Sequence, residues 1–143
     1  MISVNKVVNQ EELDQAFRIR EEVFVHEQKV SPEEEYDQYE KTSTHFIAYD
    51  AEGRACGTAR WRQTDKGIKL ERFAVLKPFR KTGIGRLLLQ TMLRDIEEDP
   101  NVEQQKIYMH AQTHAVDFYR KFGFETVGEE FDECGIMHYQ MMR

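Results

Sequence analysis

Between Glu71 and Leu93 the chain reads ERFAVLKPFRKTGIGRLLLQTML, an apolar alternation that passes through a proline into two glycines and then into a leucine-rich run. Alternation at period two predicts a strand, and apolar residues at 84, 87, 88, 92 and 96 keep helical spacing. Strand, tight turn and helix in this order call for a second strand parallel to the first, because a helix is the usual crossover between parallel strands. The segment therefore predicts an α/β chain with a mixed sheet.

The flanking sequence fills in the order. HFIAYD, RACGTARWRQ and GIKLERFAVL are separated by DAEG and QTDKG, which carry the Asp and Gly that tight hairpins need, and predict an antiparallel meander. ISVNKVV predicts a short first strand. Asn9 with Glu12 three residues on marks a helix start, and Leu13, Phe17, Ile19, Val23 and Phe24 give that helix an apolar face. The helix from Ile84 to about Glu98 stops at Asp99–Asn101, DPN; KIYMHAQ is a further strand, HAVDFYRKF a short helix ended by Gly123, and GIMHYQMM a closing strand. Ser31 to Thr44, SPEEEYDQYEKTST, is acidic and aperiodic, and predicts a loop or short helical turn with a solvated charged face.

Length and composition set the bounds. At 143 residues and 17.0 kDa, with 40% apolar residues, residues 1–143 have the length of one domain. Twenty basic against 26 acidic residues give a net charge of -6, and no stretch is basic enough to follow a phosphate backbone, so no nucleic-acid partner is expected. No window approaches a membrane span and the N-terminus lacks a leader pattern, so a soluble, cytoplasmic chain is expected. Cys56 and Cys134 have no CxxC spacing and predict neither a disulfide framework nor a zinc knuckle.

The glycines point to a ligand chemistry. Gly83 and Gly85 stand where a helix begins, where N–H groups lack partners, the helix dipole is positive, and a missing side chain lets a ligand reach the backbone. A phosphate or pyrophosphate suits such a turn. The P-loop pattern fails for want of Gly-Lys-Ser/Thr, and the dinucleotide fingerprint fails because Leu88 stands at its third glycine. An ordinary strand-to-helix turn is the alternative, and the spacing does not separate the two.

Two motifs in order carry a resemblance. RKTGIG, Arg80 to Gly85, matches the (Gln/Arg)-x-x-Gly-x-(Gly/Ala) signature of the GNAT acetyltransferase superfamily, and AQTHAVDFYRKFGFETVGEEF resembles its N-x-x-A-x-x-FY-x-x-x-GF segment. REEVFVHEQ and ECGIMHYQMM further resemble a bacterial subgroup labelled glucosamine-phosphate acetyltransferase-like, so the resemblance spans nearly the whole chain. It implies a mixed sheet of six to seven strands, flanked by helices and splayed between the fourth and fifth strands, with acetyl-CoA in the gap. The pyrophosphate is then expected on the backbone of Arg80, Lys81, Thr82, Gly83, Ile84 and Gly85, and the pantetheine arm along Phe73, Ala74 and Val75, with Gln112, Phe118 and Tyr119 nearby.

The implied reaction is direct attack of a small-molecule primary amine on the thioester, with no metal. Tyr119 of the FY pair is the expected proton donor to the leaving sulfur. Glu71 is the expected base, its pKa raised by apolar neighbours Phe73 and Val75 on the same strand face, with a carboxylate paired to Arg60, Arg62 or Arg72 as the alternative. His110 and His138 are expected to orient substrate or carry protons. His110 and His114, four apart, do not share a helical face as a zinc pair would. Glu27, Gln28 and Arg60 are expected on the acceptor side, and a homodimer is left open. Arg80 stands where many members have glutamine, Gln112 where they have asparagine, and Met137 where the subgroup has proline. The competing readings are a non-catalytic acetyl-CoA sensor and a protein lysine or N-terminal acetyltransferase.

Overall fold

A computed structural model describes residues 1–102 and 105–143, and its frame is a seven-stranded sheet in the order β1-β2-β3-β4-β5-β7-β6. β1 (Ser3–Lys6), β2 (Thr44–Tyr49), β3 (Ala55–Thr64) and β4 (Gly67–Val75) form the expected antiparallel run. The β3–β4 hairpin closes on Gly67, whose φ of +135° suits only glycine and whose added Cβ would stand 2.3 Å from the Lys106 carbonyl oxygen. α3 (Ile84–Glu98) then crosses over to β5 (Ile107–Gln112), which pairs parallel to β4. Its buried stripe is Ile84, Leu88, Leu89, Met92, Leu93 and Ile96. Leu87, counted in the apolar face from spacing, is only half-buried, and Leu89 and Leu93 take that role.

After β5 the chain makes the short α4 (Val116–Arg120) and a hairpin of β6 (Glu125–Glu133) and β7 (Ile136–Met142). β6 has no counterpart in the sequence reading. It is an edge strand with mostly exposed positions, so its sequence, ETVGEEFDE, carries no alternation of burial that would announce a strand.

The splay has a specific cause. β4 and β5 pair only over Ile68–Leu70 and Ile107–Met109, and beyond Leu70 the edge of β4 that faces β5 has no ladder partner. There β4 also bulges: Arg60 pairs with Glu71 and Thr58 with Ala74, so Arg72 and Phe73 together oppose Ala59. Arg72 takes a left-handed φ of +59°. The bulge shifts the alternation by one. Phe73 and Val75 pack with Leu70, Ile84 and Leu88, whereas Ala74 packs with Ile19, Val23 and Ile47 on the opposite face. Glu71 therefore does not share a face with Phe73 and Val75 as regular alternation predicts.

α1 (Gln10–Arg20) is capped as expected: the Asn9 side chain accepts from the Glu12 amide at 2.9 Å, and Glu12 reaches back to the Val8 amide at 2.9 Å. It runs on without a break into a π-helical segment, Glu21–Glu27. The acidic stretch that follows, with α2 (Pro32–Glu35), is not a solvated charge run. Arg20 and Arg60 are 1% and 0% exposed, and their counterions are Glu35, Glu40 and Asp37. A buried guanidinium requires such partners. No described helix is long and apolar enough to cross a membrane.

Candidate active site

Where β4 and β5 part, a cleft of about 670 Å³ opens between the π-helical end of α1, the residues after β5, and the β6–β7 turn. The pantetheine-arm candidates Phe73, Ala74 and Val75 line it with Gln112 and Tyr119, as do Glu71, His110 and His138, the acceptor-side Glu27 and Gln28, and Arg80 of the glycine turn. Arg60 does not: it is sealed under Asp37, Glu40 and Glu71, and its assignment to substrate is corrected to a structural one.

Of the glycine turn, Arg80 lines this cleft and Lys81 to Gly85 do not. A 3-10 turn at Lys77–Phe79 carries Pro78, and the Thr82 hydroxyl donates to the Phe79 carbonyl. Lys81 and Gly83 take left-handed φ values of +64° and +93°. The Leu87 amide makes the first bond of α3, to the Gly83 carbonyl at 3.0 Å, so the N–H groups of Ile84, Gly85 and Arg86 come before the intrahelical ladder. A Cβ on Gly83 would meet nothing within 4 Å, so the turn is open on that side. The Ile84 side chain itself is core, and Phe118 packs against Tyr119 and Phe122, 3.7 Å from where a Cβ on Gly85 would stand.

Arg80 ties the turn to the rest of the cleft. Its guanidinium donates to both Glu27 oxygens at 2.6 Å, and its Nε donates to the Val75 carbonyl at 2.9 Å. Hydrogen bonding to Arg80 holds the Glu27 carboxyl below its usual range. Glu27 is thus already matched to a cation, and the Val75 carbonyl, expected to be free for an amide-bearing arm, is occupied. Gln28 and Gln112 exchange amide hydrogen bonds at 2.9 and 3.3 Å, joining the end of α1 to the end of β5.

Tyr119 lies at 7% exposure among Phe73, Phe118 and Phe124, with ring centroids 5.7, 5.2 and 6.4 Å away. Burial pushes its phenol up, so it keeps its proton at neutral pH. Glu71 behaves unlike the expectation. Burial alone raises its carboxyl, but the charges of Arg60, Lys69 and Arg62 outweigh burial and the net shift is downward. It meets Arg60 at 3.3 Å, Lys69 at 3.5 Å and Arg62 more closely still. The ion-paired alternative is the one observed, and a raised pKa at Glu71 is not.

His110 and His138 converge on Glu133, a residue the sequence reading missed. Glu133 Oε1 stands 3.0 Å from His110 Nδ1, and Oε2 3.7 Å from His138 Nε2. The signal was present as an acid just before the Cys134–Gly135 turn, but it becomes visible only once β6 is known to pair with β7. Lys69, Arg62 and Arg72 also line the cleft and were unassigned or set aside as partners of Glu71. Among the described residues, no group of three or more His, Cys, Asp or Glu side chains is arranged to hold a metal ion.

Known proteins share this fold. Residues 5–143 match the acetyltransferase (GNAT) domain family. The chain is 42% identical over 136 residues to the uncharacterized N-acetyltransferase YjcF of Bacillus subtilis (strain 168), covering 94% of each. Among solved structures, Escherichia coli ElaA superposes with a TM-score of 0.86 at 25% identity, covering 100% of this chain and 99% of that one. An acyl-CoA N-acyltransferase from Pseudomonas aeruginosa gives 0.85 at 25% identity, covering 100% and 98%. With a sheet that parts beside a glycine turn at a helix start, and with a family match over nearly its whole length, the chain belongs to the GNAT family of acetyltransferase enzymes.

Proposed function

We propose that the chain, acting as one domain over residues 1–143, is an acetyl-CoA-dependent N-acetyltransferase that moves the acetyl group to a primary amine of a small molecule in a ternary complex. One observation carries the reading: the unpaired edge of β4 at Phe73, the buried Tyr119 and Arg80, which opens the glycine turn before the unpaired amides of α3, line one cleft. The amides of Ile84, Gly85 and Arg86, at the positive end of α3, would hold the pyrophosphate. The free edge at Phe73 would pair with the amides of the pantetheine arm, and Arg80 would yield the Val75 carbonyl as that arm enters.

In this arrangement the amine nitrogen attacks the thioester carbonyl carbon, the C–S bond breaks, and Tyr119 protonates the departing sulfur. The substitution Tyr119→Phe is expected to lower kcat by tens of fold while the dissociation constant for acetyl-CoA stays within about twofold, since the hydroxyl acts after binding. Equal turnover in the variant would remove Tyr119 from the reaction.

The acceptor is read as a small amine because the cleft is of small-molecule size, about 670 Å³, and carries carboxylates that could face an ammonium. An amino-sugar phosphate is a narrower version. Its phosphate would have to compete for Arg62, Lys69 or Arg72, all of which already hold Glu71 or Asp37. Calorimetric titration with acetyl-CoA tests the cosubstrate directly: one site per chain, displaced by free CoA, is expected, and absence of heat with both would end the proposal.

A further inference from the structure

The cleft holds a proton-carrying group other than Glu71. His110 on β5 and His138 on β7 stand on either side of Glu133, and each ring meets one carboxylate oxygen, at 3.0 and 3.7 Å. The partners fix the tautomers. A carboxylate only accepts, so His110 Nδ1 carries its proton toward Glu133, and in the neutral ring Nε2 keeps a lone pair. His138 Nδ1 lies 2.7 Å from the Ile136 carbonyl oxygen, which also only accepts, so that ring directs its Nδ1 proton to the backbone. Phe131 meets His110 edge-on at 5.1 Å and stacks on His138 at 6.0 Å, which fixes both planes.

Electrostatics separate this group from Glu71. The hydrogen bond to His110 is the largest influence on Glu133 and pulls its carboxyl below the usual range; burial opposes this, and the charges of His110, His138 and Lys69 reinforce it. Glu133 is therefore ionised and able to stabilise an imidazolium. Glu71 is neutralised by three cations, which makes it a weak proton acceptor. His110 follows Met109, the last residue of β5 paired with β4, so its ring sits where the sheet opens.

Resting on the acetyl-transfer reading above, we propose that His110 is the general base of the reaction and that Glu133 positions it, with His138 on the second carboxylate oxygen. As the new C–N bond forms, His110 Nε2 takes a proton from the amine nitrogen. The C–S bond breaks, the sulfur keeps the electron pair and takes the Tyr119 proton, and the imidazolium proton passes to solvent, which restores Tyr119. One amine and one thioester become one amide and one thiol. The groups facing His110 are Glu133 from β6, His138 from β7, Tyr108 with its ring centroid 6.2 Å away on the same strand, and Lys69 of β4, acting through its charge on Glu133.

The test is the pH–rate profile of the full-length protein and its His110→Gln, His138→Gln, Glu133→Gln and Glu133→Asp variants, with acetyl-CoA affinity measured in parallel. His110→Gln is expected to lower kcat about a hundredfold and to remove the acidic limb, with acetyl-CoA affinity unchanged. Glu133→Gln is expected to move that limb to lower pH by about one unit, because the charge that favours the imidazolium is gone. Glu133→Asp should recover part of the shift, which a merely structural role would not produce. An intact acidic limb in His110→Gln, or its loss in His138→Gln alone, would overturn the assignment while leaving acetyl transfer in place. A native protein that neither binds acetyl-CoA nor releases thiol would overturn both.

Discussion

Replacing Gly83 by valine is expected to weaken acetyl-CoA binding about a thousandfold while leaving a folded protein. Two or three charge-assisted hydrogen bonds from helix-start amides to a pyrophosphate would be misaligned, at about 1.5–3 kcal/mol each. Gly83 caps α3 in a left-handed conformation, φ +93°, that a β-branched residue adopts at a cost of about 1–3 kcal/mol. A Cβ there meets nothing within 4 Å, so the fold has no clash to relieve, and the added bulk enters the open space beside the helix start. Gly53, φ +80° and also without neighbours, lies in the β2–β3 hairpin far from the turn in sequence and supplies the control. Gly53→Val carries a similar backbone strain and should leave acetyl-CoA affinity as it was. Calorimetry on both variants, with circular dichroism for the fold, checks the pair. Native affinity in Gly83→Val would detach the turn from the cosubstrate.

The second large effect concerns stability. Arg60→Met is expected to cost about 3–5 kcal/mol, because it takes away the fully buried cation that Asp37, Glu40 and Glu71 share. Arg60 is fully buried and donates to Asp37 at 2.7 Å and to Glu40 at 2.7 Å, with Glu71 at 3.3 Å. The melting temperature should fall by about 10 °C. Arg120→Met, which removes an exposed pair with Asp117, should stay within about 1 °C.

The pH dependence has a defined sign. Burial raises the Asp37 carboxyl, but hydrogen bonds and charges led by Arg60 outweigh it and bring it down to about 2. A carboxyl lowered on folding adds stability above its unfolded pKa of about 4 and loses it as pH falls toward the folded value. Glu40 and Glu71 are shifted in the same direction. The gap between Arg60→Met and the native protein should therefore be widest near neutral pH and narrow below about pH 4 in urea titrations. A gap independent of pH would mean that lost packing, not lost charge, sets the cost.

What the sequence disclosed follows from how local each signal is. The β4–turn–α3 crossover was legible because proline, glycine and helical spacing act within a few residues, and the Asn9–Glu12 cap for the same reason. β6 was not, since an exposed edge strand needs no apolar alternation. The bulge at Arg72 escaped because nothing in the residue itself favours a positive φ; pairing with β3 imposes it, and one extra residue turned Glu71 away from Phe73 and Val75. The acidic segment from Glu33 to Glu40 resembled a solvated run because its counterions, Arg20, Arg60 and Arg72, lie up to some thirty-five residues away. Glu133 stayed hidden for a similar reason: its partners His110 and His138 sit on two other strands.

The central claim, acetyl transfer from acetyl-CoA to a small primary amine in the β4–β5 cleft, is tested most directly by one assay. Free thiol released from acetyl-CoA is followed against a panel of polyamines, amino acids, amino sugars, amino-sugar phosphates and basic peptides, with mass spectrometry of the acceptor. The account predicts that thiol release tracks an acceptor mass increase of one acetyl group for a small-molecule class. Acetyl-CoA that binds but is never turned over with any amine, or transfer confined to peptides, would contradict it.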